Sequence, residues 1–326
     1  MRALRAFDGW WMRPLGAQPL AFFRIAVGLF VLVYIGDRWP DLAATGGFES
    51  RQFEPVGVVT ILGEPLGAWM VYAPIVGTMA AAVAFTLGWR YAVTGPVFAI
   101  LLLFLLTYRN SWGQVFHSEN LLVLHVLVLS IAPAADSLSL DARRRAGIAR
   151  AAISYGWPLQ LCAVITVITY VIAGIAKLET SGLEWITSDA LRNHVAYDNL
   201  RKELVGDYSA LLGGWLVGHG WVFKPLAAAT IIVELAAPIA LLGRRFALVW
   251  AAGAWLFHIG VLVSMAILFP YQVVGLAFLP LFAWDGEPVV ERVRRAGALV
   301  AAKLGYGEPA GQPGVLAVEP RQRGDD

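Results

Sequence analysis

Lys177 is the residue whose type and setting carry the most chemistry. The chain uses arginine 21 times and lysine four times. An ammonium inside an apolar block, where arginine is otherwise the habit, points to a task arginine cannot do. A lysine in low dielectric can shed its proton and serve as a general base, whereas a guanidinium stays protonated. Thr166, Tyr170, Gly174 and Lys177 follow one another at spacings of 4, 4 and 3, which places them on one helix face as a polar stripe interrupted by one small residue. Such a stripe lines a cavity or meets another helix. The alternative for Lys177 is an ammonium that snorkels to the interface from the last helical turn, where it also faces the negative end of the helix dipole.

Other ionisable groups within apolar blocks are few, and each is costly enough in hydrocarbon to need a partner or a task. His117 opens a block as Phe116-His117-Ser118-Glu119-Asn120. Ser118 and Glu119 there read as helix capping and a carboxylate favoured by the amino-terminal dipole, and His117 as either an assisting group or an interfacial histidine. Glu234 and His258 fall near the middle of two later blocks, where a hydrogen bond between them would satisfy both, with a proton relay as the alternative. Arg24 lies about 9 Å into the first helix at 1.5 Å per residue, set to pair with Glu234 or to snorkel inward. His125, a single polar residue in an apolar run, reads as a hydrogen bond between helices. The five histidines show no zinc spacing, so no metal is expected. Neither a glycine-rich phosphate loop nor a nucleophile elbow occurs, and Cys162, the only cysteine, excludes a disulfide within the chain and a cysteine metal cluster.

The elements that must hold these groups are set by composition. Residues of the AVILMFWYC set make up 58% of the 326 positions and charged residues 15%, against roughly 25% charged in a soluble domain. The apolar blocks run to lengths that match the roughly 30 Å hydrocarbon core of a bilayer. The expected fold is therefore all-α, a polytopic membrane helix bundle with about eight transmembrane helices, near 18–36, 67–88, 91–108, 117–133, 153–178, 225–243, 246–267 and 269–284. Pro270 separates the last two, which otherwise fuse or leave one re-entrant. The first block follows Arg2, Arg5 and Arg13 as a signal peptide would, but further blocks follow, so it reads as a retained anchor.

With the amino terminus inside, the inner connections hold sixteen Lys and Arg and the outer ones seven, which places both termini in the cytoplasm. The lean to arginine suggests a GC-rich bacterial genome, and with it a bacterial inner membrane. A formal charge of +2 leaves no large basic face for nucleic acid; membrane lipids are the expected neighbours. Outer segments 37–66 and 179–224, the latter with Trp185, Trp215 and Trp221 suited to the headgroup zone, are placed to roof an outward cavity. Residues 1–284 form one transmembrane domain. Residues 285–326 read as a cytoplasmic tail, basic at Arg292, Arg294 and Arg295 and disordered from Gly307. No internal repeat is visible, which counts against a transporter.

The segments Pro19-Leu-Ala-Phe-Phe-Arg24-Ile-Ala-Val-Gly28, Tyr170-Val-Ile-Ala-Gly174-Ile-Ala-Lys177-Leu178 followed by Trp185, and Phe257-His258 leading to Leu268-Phe-Pro-Tyr271 resemble the HTTM domain, the membrane portion shared by vitamin K-dependent gamma-carboxylase and many bacterial proteins. The resemblance covers roughly residues 14–284. It implies that Lys177 is the base that deprotonates a quinol, menaquinol or vitamin K hydroquinone, that His117 assists, and that Tyr170, Gly174, Asn120 and His258 line the cofactor. In the carboxylase the oxygenated quinone then removes a glutamate γ proton and carbon dioxide adds to the carbanion. For this chain the resemblance implies the hydroquinone half of that carboxylase or epoxidase chemistry, or quinone and lipid binding without turnover. A different class stays open beside it: a non-catalytic membrane component, an immunity, maturation or transport partner of another membrane or secreted protein, whose buried charges only fix helix packing.

Overall fold

The computed structural model describes residues 8–12, 14–145 and 155–285. The chain divides into two compact units, 1–286 and 287–326; the second lies outside the described residues, and with it the expected basic and disordered tail. The first unit is helical throughout its described elements: α1 Ala17–Asp37, α2 Tyr72–Leu87, α3 Tyr91–Asn110, α4 Asn120–Ile131, α5 Gly156–Ser181, α6 Ala190–Leu204, α7 Leu211–Val217, α8 Phe223–Leu235 and α9 Arg244–Met265. Two 3₁₀ stretches, Ala237–Leu242 and Leu276–Asp285, complete the carboxyl-terminal half.

Four of these helices, α1, α3, α5 and α9, are long and apolar enough to cross a bilayer, and α7 with residues 220–235 adds a fifth if that pair, bent by 97°, is one broken span. The expectation of eight full helices is met only in this coarser form, for physical reasons. The 16 residues of α2 rise about 24 Å at 1.5 Å per residue, and α4 has only 12. Where continuous α-helix was expected at 225–243 and 269–284, the chain turns into 3₁₀ winding at Pro238 and around Pro280, because proline lacks the donor that an α-helix needs.

Consecutive helices pack as neighbours: α1 on α2, α2 on α3, α3 on α4 and α4 on α5. Their inner faces, with Val27, Val31, Phe85, Phe98, Leu102 and Leu122, make one core. A second core joins the rest of α5 to the 3₁₀ stretches and α9 through Val167, Tyr170, Ala240, Trp250 and Phe278. The long helix α5 belongs to both, with Leu159 and Cys162 in the first and Ala163 onward in the second. Large apolar side chains such as Val33, Ile100, Ile172 and Val249 stay exposed on the helix exteriors, which suits a lipid solvent.

Two polar knots hold the first half. Arg24, fully buried, donates to the carbonyls of Ala134 and Leu138 at 2.6 Å each and of Thr86 at 3.3 Å. It therefore ties α1 to the end of α2 and to the connection after α4, and does not reach Glu234. The Asp141 carboxylate accepts from the backbone N–H groups of Arg90 and Tyr91 at 2.9 and 2.8 Å, satisfying orphan donors at the start of α3. Gly88, at φ +61°, makes the corner between α2 and α3; a Cβ there would stand 2.4 Å from that of Ser139. Deeper in the bundle His125 bridges α4 to the Tyr271 hydroxyl at 2.8 Å and to the Cys162 carbonyl at 3.1 Å, the link between helices that its isolation in an apolar run suggested.

Candidate functional site

The polar stripe of α5 faces the carboxyl-terminal half, and every member of it makes a contact there. Thr166 donates to the Ala277 carbonyl at 3.0 Å. Tyr170 OH and His258 Nε2 of α9 lie 2.7 Å apart. At Gly174 the helices come closest: a Cβ would stand 2.8 Å from Leu235 Cδ2 and 3.0 Å from Glu234 Cβ, so glycine is what lets α5 and α8 approach. One turn further on, Lys177 Nζ donates to Glu234 Oε1 at 2.5 Å. The expected Glu234–His258 hydrogen bond is therefore replaced by two parallel pairs, Lys177–Glu234 and Tyr170–His258. Phase decides this: Tyr170 and Lys177 stand two turns apart on α5, so each meets a different partner helix.

The pairs are buried unequally. The Glu234 side chain is 3% exposed and that of Lys177 24%. Trp185, in the short helix Glu184–Thr187, lies with its ring centroid 5.6 Å from Lys177 Nζ, close enough for a cation–π contact, and its indole N–H donates to Thr230 Oγ1 of α8 at 3.3 Å. On the protein side, each pair leaves one buried atom without a partner, Glu234 Oε2 and His258 Nδ1. Buried polar atoms in folded proteins are overwhelmingly hydrogen-bonded; Glu119 Oε2 and Arg24 Nε are further such atoms among the described residues, and at this site the two lie on adjoining pairs.

His117 is exposed, yet its ring packs edge-on against Phe269 with centroids 5.6 Å apart, and Phe269 in turn lies 4.7 Å from the His258 ring. The histidine expected to assist Lys177 is thus joined to the cluster through one aromatic ring. Asn120 is not brought to it: this side chain lines a separate cleft with Glu119, Asn110 and Leu124. Arg24 belongs to the opposite end of α1, as described.

Reasoning from sequence missed one cluster on this side. Glu119, read as a helix cap, makes no cap; the buried carboxylate accepts from Tyr34 OH and from Arg109 Nη1, and the Arg109 guanidinium lies 3.8 Å above the Phe116 ring. The available signal was Arg109 itself, ten residues before Glu119 and at the same end of the bundle. Among the described residues no three His, Cys, Asp or Glu side chains gather as a metal site.

These observations define a class: a polytopic membrane protein whose central helix carries a seam of paired acid–base groups. The family model described as HTTM domain matches residues 12–285. The chain belongs to the HTTM family, and the HTTM domain is the membrane portion of vitamin K-dependent gamma-carboxylase. No curated protein and no solved structure matches the chain.

Proposed function

We propose that the protein binds a quinol of the vitamin K hydroquinone or menaquinol class and removes a hydroxyl proton with Lys177, in a pocket that opens toward the outer face of a bacterial membrane. The observation that carries this reading is the half-used carboxylate of Glu234, one oxygen held by Lys177 and the other buried with no partner. The ion pair and its neutral form, amine beside carboxylic acid, differ only in where one proton sits along the 2.5 Å bond. In the neutral form Lys177 Nζ offers a lone pair. Taking up the hydroxyl proton returns Lys177 to ammonium, with Glu234 still protonated, so the site gains one positive charge that offsets the negative charge left on the deprotonated hydroxyl.

The remaining groups orient. His258, held through Nε2 by Tyr170, presents Nδ1 as a donor or an acceptor according to its tautomer. The Trp185 ring stands 5.6 Å from Lys177 Nζ on the exposed side of the pair, and His117, exposed and packed on Phe269, is the candidate for a second polar contact. Organic extracts of the purified wild-type protein should contain a quinone, and the protein should show quinol-dependent oxygen uptake. Both should be lost in Lys177→Met/Glu234→Leu, which removes the pair without leaving a lone charge. Absence of bound quinone and of quinol-dependent oxygen uptake in the wild type would sink the reading.

A second reading has its own observation. The charge pair sits one turn from Gly174, where α5 and α8 approach most closely, as a purely structural clamp would. On that view the double variant keeps its cellular role in full, and the protein is a non-catalytic partner of another membrane or secreted protein.

A further inference from the structure

Asn120 opens onto a cleft of about 290 Å³ between α3 and α4. None of Lys177, Tyr170, Glu234 or His258 borders it. Its walls are two matched stripes, Leu103, Leu106 and Asn110 on α3 and Asn120, Val123 and Leu127 on α4. Each follows a spacing of 3 and then 4, which keeps its members on one helix face. Asn110 ends α3 and Asn120 begins α4, so the two amides gather at one end, and the apolar side chains run from there for about 10 Å at 1.5 Å per residue. The cleft is therefore graded, polar at one end and apolar along the rest. Asn110 Oδ1 accepts from the Phe116 N–H at 3.0 Å, which leaves its NH2 group for a ligand. Asn120 is exposed, and its amide has no partner among the described residues. Thr107 offers only its methyl group, because its hydroxyl donates to the Leu103 carbonyl at 2.6 Å. Glu119 completes the polar end. It is 4% exposed, its Oε1 takes Tyr34 and Arg109, and its Oε2 is buried without a partner on the protein. The void on the other side of this carboxylate, beside Tyr34 and Tyr271, holds about 10 Å³, room for roughly one water. A larger group can therefore approach Glu119 only from the cleft.

From this layout we infer that the cleft binds one phospholipid with a primary ammonium head, of the phosphatidylethanolamine class. Its ammonium is set toward Glu119, its phosphate toward the two asparagine amides and one acyl chain along the apolar stripes. The inference stands apart from the reading of Lys177 and concerns another face of the bundle. Three demands of the cleft select this lipid. The free carboxylate oxygen of Glu119 takes a hydrogen-bond donor, and the amide NH2 groups of Asn110 and Asn120 take acceptors; an ethanolamine phosphate carries both. A choline head keeps the phosphate but has no N–H to give. An anionic head brings a net charge to a place that cannot match it, since no Lys, Arg or His lines the cleft and Arg109 is already paired with Glu119. A volume near the lower limit of small-molecule sites takes the head and part of one chain. Bilayer tails are as apolar as the groove, so the chain contributes fit and no selectivity. The preference rests on the ammonium–carboxylate contact, a charge-assisted hydrogen bond roughly twice as strong as a neutral one.

The test is native mass spectrometry of the full chain in detergent, titrated with phosphatidylethanolamine, its N-methyl and N,N-dimethyl forms, phosphatidylcholine and phosphatidylglycerol, all with the same acyl chains. The expected result is a single retained lipid for the first three, at concentrations about tenfold below those needed for the choline and glycerol lipids. The step should fall at the third methyl group, where the last N–H is lost. Asn120→Leu, which removes an amide at an exposed position, and Leu124→Trp, which fills the apolar end of the cleft, should each weaken retention of phosphatidylethanolamine about tenfold. One variant acts on the head and the other on the chain, so misfolding of either, seen as a lowered thermal midpoint, leaves the other to decide. Equal retention of the ethanolamine and choline lipids overturns the inference, as does retention indifferent to both substitutions, because either marks ordinary bilayer lipid. Retention of phosphatidylglycerol as strong as that of phosphatidylethanolamine overturns it too, by showing that the ammonium is not what is recognised.

Discussion

Removing Lys177 alone strands Glu234, whose side chain is 3% exposed, with neither carboxylate oxygen partnered. Breaking one side of a buried pair costs about 3–5 kcal/mol, whereas removing both charges is often close to neutral. Lys177→Met is therefore expected to lower the thermal midpoint of the detergent-solubilised protein markedly, and Lys177→Met/Glu234→Leu to recover most of the loss; a double variant as unstable as the single one would show that the pair is not the unit described here. Tyr170→Phe should cost about 1–3 kcal/mol, because it leaves His258 with both ring nitrogens buried and unpaired, and thermal unfolding measures it directly. At this scale the sequence names the participants and not the pairs. Lys177, Glu234, Tyr170 and His258 stand out because each is polar within an apolar block, and the 4, 4, 3 spacing places all four α5 contacts on the right face. Which carboxylate or imidazole each would meet depends on the rotation and depth of α8 and α9, and a single sequence carries neither. Tyr34 was invisible for a related reason: one tyrosine in an apolar helix looks like core until the carboxylate of Glu119 is found against its hydroxyl.

Among elements, the approach of α5 to α8 has the least slack. A Cβ at position 174 would press on Leu235 and on the backbone-proximal carbon of Glu234, so Gly174→Leu should force the two helices apart, at a cost of about 1–3 kcal/mol or more, and should lengthen the Lys177–Glu234 bond even though neither residue is changed. The expected outcome is reduced thermal stability together with lost quinol binding, whereas Gly260→Leu, with open space around its Cβ, should retain stability; equal destabilisation by the two would contradict the packing. Helix positions were legible in the long apolar blocks that became α1, α3, α5 and α9, where proline is absent or lies in the first two turns, at Pro19, Pro96 and Pro158. The misreadings fall where backbone chemistry overrides hydropathy. Residues 237–242 and 276–285 are apolar enough to extend a helix, yet Pro238 and Pro280 favour the tighter 3₁₀ winding, which rises about 2.0 Å per residue and alters how far a short segment reaches.

Across the whole molecule, the polar contacts sort to two ends. Arg24 with Thr86 and Leu138, and Asp141 with Arg90, gather at one; Arg109 with Glu119 and Lys177 with Trp185 belong to the other, where α6 also caps α9 through Asn199 to the Ser264 carbonyl at 2.9 Å and Lys202 to that of Met265. The count along the sequence, sixteen Lys and Arg against seven with the amino terminus inside, bears on which end is cytoplasmic. By the positive-inside rule the first end is expected in the cytoplasm, with Lys177 toward the outer face. Cysteine labelling can decide this with little background, because Cys162 is fully buried. Tyr208, 90% exposed between α6 and α7, and Arg144, exposed after α4, are suitable reporters. A membrane-impermeant maleimide applied to intact spheroplasts should modify Tyr208→Cys at once and Arg144→Cys only after permeabilisation. The reverse pattern would invert the molecule, place Lys177 toward the cytoplasm, and require any quinol to be drawn from the inner leaflet.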